Sequence, residues 1–510
     1  MKATTRSRSV AVLLAFCCAA WSMPAVADFD KAMEHFHKKE YVEVLRELEP
    51  LIKAHDGNAL NMMGVMYANG QGVAKDERQA VEWYREAADQ GNATAQYNLG
   101  VMYANGRGVA KDERQAVEWY RKAADQGDTN AQRNLGFMYE SGKGVAKDER
   151  LAVSWYRRAA GQGFAPAQHN LGVMYDNGRG VAKDERQAAE WYRKAADQGN
   201  ATAQNNLGFM YGNGQSVAKD ERLAVEWYRR AADQGYANAQ FNLGVMYDNG
   251  RGAAKDERLA VEWYRKAADQ GNATAQLNLG FMYANGQGVT KDERLAVAWY
   301  RKAADQGDAI ASHNLGFRFE GGSGGLRQDY VEAARLYEAA AIQGEPYSQR
   351  NLARMYREGL GVRSDAVVAY TWANLAASAE SPHPNAADER GAMAQYMPKE
   401  LVAEGQRLTR EWKLGAPLGK SKLKPVTVAQ LVAAQNIMKL GGALDARAAQ
   451  ERTNQFPARP EAKPGLVTCN TLCTNGDCFR TYGDGRKVRF QARQKWNPFN
   501  NQFEWDSGSC

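Results

Sequence analysis

Apolar residues recur four positions apart along a short stretch of this chain, and the stretch itself returns every 36 residues. Residues 93–104 carry the pattern, with Ala95, Leu99 and Tyr103 at positions i, i+4 and i+8. This spacing places all three side chains on one face of an α-helix. The pattern therefore predicts an amphipathic first helix in each period, ended by the glycine-containing sequence at 105–108.

A second helix is predicted later in the same period. Asp112 is suited to cap its N-terminus, and Gln115, three residues later, completes the sequence of a capping box. Gly127 suits the position just beyond its C-terminus. Its apolar face consists of Ala116, Trp119, Tyr120, Ala123 and Ala124. One pair of helices cannot bury both apolar stripes, so each pair has to pack against its neighbours.

The constancy of the period indicates one stacked array instead of several separate domains. Tryptophan and glycine both return at intervals of 36 residues. They are Trp83, Trp119, Trp155, Trp191, Trp227, Trp263 and Trp299, and Gly91, Gly127, Gly163, Gly199, Gly235, Gly271 and Gly307. Self-similarity at such a fixed period is typical of an α-solenoid.

The full motif reads A-x-x-N-L-G-x-M-Y, then N-G-x-G-V, then A-V-x-W-Y-R-K-A-A, then Q-G. It resembles the Sel-one-like repeat family, which is related to the tetratricopeptide repeats. The resemblance covers about residues 29–414. It implies an all-α, right-handed α-α superhelix of about ten helix-turn-helix repeats. The first repeat is degenerate, as expected of a terminal cap, and the ninth has an insertion, with Leu336 in place of the tryptophan.

One position of the first helix changes from repeat to repeat while its neighbours stay constant. It follows the Ala-Gln of the motif and is occupied in turn by Tyr97, Arg133, His169, Asn205, Phe241, Leu277, His313 and Arg350. On a helical wheel this varied position shares a face with Val101 and Ala104, away from the apolar stripe. The resemblance implies that first helices line a concave groove, so we expect the varied residues to form a peptide-binding floor. The alternative is neutral drift at exposed positions after duplication.

Composition and charge are those of an ordinary soluble protein, with 44% apolar and 25% charged residues. The net charge of +7 is unevenly distributed, because residues 415–510 carry 14 basic and 7 acidic side chains. The repeat region is slightly acidic, which argues against binding of nucleic acid by the solenoid. The basic C-terminal part is suited to weak binding of anionic surfaces.

The N-terminus has the features of a secretory signal peptide. Lys2, Arg6 and Arg8 precede an apolar run at 10–21, and a small-x-small sequence ends at Ala27. The apolar run is too short to span a bilayer. We expect cleavage after Ala27 and export to a bacterial periplasm or beyond the cell. A lipoprotein cysteine is the alternative use of the region, but a bulky phenylalanine precedes the candidate cysteine.

Four cysteines remain after this cleavage, Cys469, Cys473, Cys478 and Cys510. In an oxidising compartment they predict two disulfides, with three possible pairings. A four-thiolate zinc site is the alternative, but the spacing C-x3-C-x4-C-x31-C lacks paired CxxC knuckles. Around them, Gly483-Asp484-Gly485 lies between two strand-like runs and predicts a β-hairpin. The possible ligand contacts of this small module are Arg489, Trp496, Phe499, Phe503 and Trp505, whose aromatic rings can instead form its core.

The sequence contains no group of residues suited to catalysis. Residues 321–325 match G-x-S-x-G by letter, but a nucleophile elbow needs a preceding strand, and these residues lie in a loop between predicted helices. His169 and His313 lie four repeats apart, too far to share a metal. We therefore predict no enzyme activity, no cofactor and no metal, with hydrolysis as a remote alternative.

The predicted organisation has five parts. They are a signal peptide at 1–27, the solenoid at 28–384, a helical cap at 385–414, a basic linker with one short helix at 415–465, and a cysteine-rich β module at 466–510. The predicted function is that of an exported scaffold which binds a protein or peptide in the cell envelope or in a host. Attachment to peptidoglycan or another polysaccharide through the β module is the second hypothesis.

Overall fold

The computed structural model describes residues 28–379, 383–427 and 430–431 with their side chains, except that of Tyr396, and the backbone of five strands within 470–506. The predicted signal peptide and two of the four cysteines, Cys469 and Cys510, lie outside the described residues, as does Phe499. Among the residues described, no helix has the length and apolarity that crossing a bilayer requires.

Helices occupy nearly all of residues 29–411, in pairs joined by short turns. They are α1 Phe29–His37, α2 Tyr41–Lys53, α3 Gly57–Asn69, α4 Glu77–Asp89, α5 Ala93–Asn105, α6 Glu113–Asp125, α7 Thr129–Ser141, α8 Glu149–Gly161, α9 Ala165–Asn177, α10 Glu185–Asp197, α11 Ala201–Asn213, α12 Glu221–Asp233, α13 Ala237–Asn249, α14 Glu257–Asp269, α15 Ala273–Asn285, α16 Glu293–Asp305, α17 Ala309–Gly321, α18 Tyr330–Ala341, α19 Pro346–Glu358, α20 Ala366–Ser378, α21 Ala386–Tyr396 and α22 Lys399–Glu411. The odd-numbered helices from α3 to α19 are the first helices of the repeats, and the even-numbered helices that follow them are the second. The all-α solenoid predicted from the sequence is confirmed.

The ends of the helices follow from the residues that the repeat places there. The side chain of Asp112 accepts hydrogen bonds from the backbone N–H groups of Arg114 and Gln115, so it caps α6 as predicted. The reciprocal half of a capping box is not formed, because the N–H of Asp112 donates to the carbonyl of Tyr103. Gly106 has φ 69°, a left-handed conformation that suits glycine beyond the end of α5.

The two helices of a repeat approach closely because a glycine of the first lies under a tyrosine of the second. A Cβ atom added to Gly100 would lie 2.7 Å from the ring of Tyr120, well inside contact distance. A Cβ atom at Gly244 would meet Tyr264 at the same 2.7 Å. The tyrosine ring therefore takes the place of a side chain on the first helix and is almost fully buried in each repeat.

The chain divides into two compact units, Met1–Ala159 and Ala160–Cys510. Within each of them a repeated polar link accompanies the apolar packing. Gln96 donates to the carbonyl of Ala88 on the preceding second helix and accepts from Gln126 at the end of its own repeat. Gln240 in the second compact unit repeats the first of these bonds. Each buried glutamine amide thus joins three helix ends.

Residues that follow α22 pack back on the last helices, whereas the sequence predicts a tether from 415 onward. The N–H group of Gly415 donates to the carbonyl of Ile342, and the carbonyl of Val426 accepts from the N–H group of Ala366. The side chain of Glu404 accepts from the Lys422 N–H. The hydrogen bonds of Arg407 and of this N–H lower the pKa of Glu404 to about 2. The first part of the predicted linker is therefore a docked strap.

The backbone of the C-terminal part contains five strands in two sheets. They are β1 Asn470–Thr474, β2 Asp477–Thr481, β3 Lys487–Gln491, β4 Arg493–Asn497 and β5 Gln502–Asp506. The order of the first sheet is β1-β2-β3, and β4 pairs with β5, all antiparallel. Thr481 pairs with Lys487, so β2 and β3 flank the predicted Gly483-Asp484-Gly485 turn. Asn475-Gly476, a second hairpin sequence not recognised above, separates β1 from β2.

One repeat departs from the turn chemistry of the others. Ser216 has φ 53°, in the left-handed region, where the equivalent residue one repeat later is Gly252 with φ 69°. A Cβ atom at Gly252 would lie 2.0 Å from the Glu221 carbonyl oxygen. The serine hydroxyl donates to Glu185 at 3.0 Å, an exposed bond that offsets little of the backbone cost.

Replacing Ser216 by glycine is expected to stabilise the chain by about 1 kcal/mol, because glycine adopts positive φ without steric cost. The matched change Gly252→Ser is expected to destabilise it by at least as much, because the new Cβ meets backbone. Thermal unfolding followed by circular dichroism measures both. A lower midpoint for Ser216→Gly than for the unaltered chain would contradict the interpretation.

Candidate functional site

The first helices of neighbouring repeats contact one another through the varied residue and the asparagine that follows it. Asn98 donates to Asn61 at 3.0 Å, and Asn242 donates to Asn205 at 2.9 Å. In each case the acceptor is the varied residue of the preceding repeat. These two positions, taken over all repeats, are called here the amide seam. Its constant asparagines are Asn98, Asn134, Asn170, Asn206, Asn242, Asn278, Asn314 and Asn351.

The varied residues are more buried than the helical wheel predicts. Five of them are at most 8% exposed, and the other three are half-buried. The buried ones are Tyr97, Asn205, Leu277, His313 and Arg350, and the half-buried ones are Arg133, His169 and Phe241. Most of these side chains therefore lie against other parts of the protein, and the partner-binding role predicted for the position stays a prediction. The wheel treats one helix alone, whereas the tyrosine of the second helix and the next repeat both cover the position.

Aromatic varied residues stack on that tyrosine in every second repeat. The ring centroids of Tyr97 and Tyr120 lie 5.9 Å apart at 35°, and those of Phe241 and Tyr264 lie 5.8 Å apart at the same angle. His169 packs on its tyrosine in the same manner. Burial raises the pKa of Tyr97 to about 12. These contacts are core packing, which explains why the position accepts large rings.

The residue one turn later on the same helix also varies. The repeats with Tyr97, His169 and Phe241 have valine there, and those with Arg133, Asn205, Leu277 and His313 have phenylalanine. The valines are Val101, Val173 and Val245, and the phenylalanines are Phe137, Phe209, Phe281 and Phe317. Valine and phenylalanine therefore alternate from Val101 to Phe281, and Phe317 ends the alternation.

In some repeats the hydroxyl of the second-helix tyrosine donates a hydrogen bond to a carboxylate near the end of the first helix. Tyr264 donates to Asp248 at 3.1 Å, and Tyr337 donates to Glu320 at 3.0 Å. Ala284 occupies the carboxylate position beside Tyr300, and the buried Tyr300 hydroxyl has no hydrogen-bond partner in the described part of the chain. Burial raises the pKa of Tyr300 to about 12.

Solvent reaches the seam at its constant residues. Asn98, Asn206 and Asn278 are half-buried, and so are Phe209, Phe281 and Phe317, three phenylalanines of the second compact unit. Helical spacing places an asparagine and the phenylalanine three residues later on neighbouring positions of one face. Sequence reasoning missed these positions because it looked for variation, whereas a constant polar residue on an otherwise apolar helix was the available signal.

Residues 57–381 match the description "Sel1 repeat" in nine consecutive segments. The chain belongs to the Sel1 repeat family. The pair α1 and α2 precedes the first matched segment, which gives ten helical pairs with the degenerate one included. No curated protein matches the chain.

The chain is similar to proteins of known structure. The chain is 32% identical to a protective antigen present in uropathogenic Escherichia coli strains, whose crystal structure displays an SLR fold; the TM-score is 0.64, with 81% of this chain and 86% of that one covered. A Sel1 repeat protein from Oxalobacter formigenes is 36% identical, with a TM-score of 0.46 and coverage of 57% of this chain and 87% of that one.

In the last Sel1 repeats, arginine side chains of the first helix form buried ion pairs beside the seam. Arg350 donates to Glu389 of α21 at 2.6 Å, and Arg354 donates to Glu320 at the same distance. Both pairs are about nine-tenths buried, so removal of one partner would leave an uncompensated charge. Arg350 therefore joins the last Sel1 repeat to the cap, and its side chain faces the protein interior.

His313 belongs to the same buried region. Its Nδ1 atom lies 2.8 Å from the Ser348 hydroxyl and 3.4 Å from Glu345, which caps α19. Burial alone would raise the pKa of Glu345, but the charge and hydrogen bond of His313 outweigh it, so the pKa lies below its usual value. Within the described residues, no group of three or more His, Cys, Asp or Glu is arranged to hold a metal ion.

The predicted contacts of the β module fall on its strands. Arg489 lies in β3, Trp496 in β4, and Phe503 and Trp505 in β5. The register pairs Trp496 with Phe503 and Gln494 with Trp505. Because alternate residues of a strand share a face, the three aromatic residues belong to one face of the two-stranded ribbon.

Replacing His313 by phenylalanine is expected to destabilise the chain by about 2 kcal/mol, since Ser348 and Glu345 lose a buried partner. The matched change His169→Phe is expected to cost less than 1 kcal/mol, because Phe241 already occupies the equivalent position. Urea unfolding at neutral pH measures both changes.

The pH dependence gives a second readout of the His313 change. Because folding lowers the pKa of Glu345, its carboxylate contributes fully to the stability of the folded chain above pH 4.5. This contribution declines as the pH falls through the folded-state pKa. The difference in the free energy of unfolding between His313→Phe and the unaltered chain should therefore become smaller in acid. Equal costs at the two histidines would contradict the assignment.

Proposed function

We propose that this Sel1 repeat protein is an exported, non-catalytic scaffold that binds a protein or peptide partner on the face formed by its first helices. Sel1 repeats are in general protein-interaction scaffolds, and the family supports that part of the proposal. The observation that carries the choice of surface is the alternation of half-buried asparagine and phenylalanine on that face.

The chemistry of this face suits a polypeptide. An asparagine amide donates and accepts hydrogen bonds without charge, as a peptide unit does. A half-exposed phenylalanine ring beside it offers apolar contact to a partner's side chain, and aromatic residues are enriched in protein interfaces. Repetition of the pair along the solenoid suits an extended segment, which meets one helix after another.

Export to the periplasm or the exterior is the second part of the proposal. It is supported by the basic residues, the apolar run and the small-x-small sequence in residues 1–27. The Escherichia coli relative is a protective antigen, a property stated of that protein. This relative suggests contact with a host as a function of this chain.

Photo-crosslinking in the cells that make the protein tests the proposed surface. Benzoylphenylalanine replaces Phe209 on the first helix or Glu226, which is exposed on the second helix of the same repeat. We expect discrete crosslinked partners from position 209 and none from position 226. Partners from position 226 alone would overturn the choice of surface, and diffuse labelling from both would overturn specific binding.

Attachment to cell-wall polysaccharide through the β module is the second candidate. The shared face of Trp496, Phe503 and Trp505 favours it, because aromatic rings pack well on sugar rings. Purified peptidoglycan is expected to retain the full chain and to release a variant that lacks residues 466–510. Equal retention of both would assign attachment, if any, to the repeats.

A further inference from the structure

The register of the first β-sheet places two of the four cysteines opposite each other. Cys473 of β1 is the partner of Cys478 of β2, and the neighbouring pair toward the turn is Thr474 with Asp477. Residues that lie directly opposite on antiparallel strands belong to the same face of the sheet. The backbone therefore brings these two cysteines together, whereas the sequence alone allowed three pairings.

The position of this pair in the hairpin suits a disulfide. Two residues in sequence separate Thr474 from Asp477, so these residues close a two-residue hairpin as a hydrogen-bonded pair. Hydrogen-bonded and non-hydrogen-bonded pairs alternate along antiparallel strands, and Cys473 and Cys478 therefore form a non-hydrogen-bonded pair. The Cα atoms of such a pair are about 4.5 Å apart, within the range of about 4.4–6.8 Å that disulfides span.

The same register argues against a bridge from Cys469 to either of these two cysteines. Asn470 begins β1, and the rise of a strand over three residues places it about 10 Å from Cys473. Cys478 lies across the ladder from Cys473 and is no nearer to Asn470. A bridge from Cys469 to either of them would require the chain to reverse direction immediately before the strand. The remaining partner for Cys469 is Cys510.

We propose that Cys473 and Cys478 form one disulfide and that Cys469 and Cys510 form the other. The pairing rests on the proposed export, because disulfides persist in oxidising compartments. The oxidant is an oxidised thiol–disulfide oxidoreductase of that compartment. For each bridge, two cysteine thiols lose two protons and two electrons and one S–S bond forms. The disulfide of the oxidant takes up those electrons and protons and is reduced to two thiols.

The two bridges close loops of very different length. The bridge between Cys473 and Cys478 encloses only residues 474–477, whereas the other encloses residues 470–509 and with them all five strands. In the chain-entropy account, a bridge that closes a longer loop removes more freedom from the unfolded chain and stabilises the folded state more. The longer bridge therefore holds the β module together, including the β4–β5 ribbon with its aromatic residues, and the shorter one acts on the hairpin alone.

Peptide mapping of the full chain, isolated from the cells that make it, tests the pairing. Free thiols are alkylated, and the unreduced chain is digested with Asp-N, which cleaves before Asp477 and Asp506, and with chymotrypsin, which cleaves after Leu472. The digestion places the four cysteines in four different peptides. We expect mass spectrometry to find the peptide of Cys473 joined to that of Cys478, and the two remaining cysteine peptides joined to each other.

Two double variants test the different roles of the bridges and serve as controls for each other. Each replaces both partners of one bridge by serine, so that no single thiol is left over. Cys469→Ser with Cys510→Ser is expected to shorten the lifetime of residues 466–510 under limited proteolysis about tenfold more than Cys473→Ser with Cys478→Ser, because it opens the longer loop. Circular dichroism shows whether both variants retain the helices of the repeats.

The outcomes separate the pairing from the export on which it rests. A chain that begins at Asp28 and either joins Cys469 to Cys473 or Cys478, or keeps four free thiols, would overturn the pairing and leave export in place. A chain that retains residues 1–27 and has four free thiols would contradict export and the bridges together. Equal loss of protease resistance in the two double variants would overturn the stabilising role of the longer bridge.

Discussion

The repeat depends on one contact, the ring of a second-helix tyrosine against a first-helix glycine. Because a Cβ atom at Gly100 would lie 2.7 Å from the Tyr120 ring, only glycine lets the helices come this close. The ring is then held among the varied residue, the asparagine of the next repeat and, in several repeats, a carboxylate. Core packing and the candidate binding face consequently share the same side chain, and a change in one alters the other.

Packing against the tyrosine accounts for part of the variation. A large ring at Tyr97 accompanies Val101, whereas the smaller Leu277 accompanies Phe281. The combined bulk is not constant throughout, because Arg133 accompanies Phe137 and His313 accompanies Phe317. Close-packed interiors respond to differences of a single methylene, so each combination has to fit the constant tyrosine in its own way.

The sequence was sufficient to predict the helices, their pairing and the glycine turns, because a 3.6-residue periodicity and left-handed glycines act locally. It was insufficient for the varied position, since the residues that bury Tyr97 come from another helix and from the next repeat. The docked strap was missed for a similar reason. Its lysines and prolines read as a linker, and its attachment depends on Glu404, Ile342 and Ala366, which are distant in sequence.

Contacts between neighbouring first helices depend on the varied residue. When it is polar, as at Asn205, it accepts a hydrogen bond from the next asparagine and stabilises the contact between repeats. When it is apolar, as at Leu277, it is buried in the hydrophobic core and contributes packing instead. A single residue can therefore change the link between two repeats while the tyrosine–glycine packing stays the same.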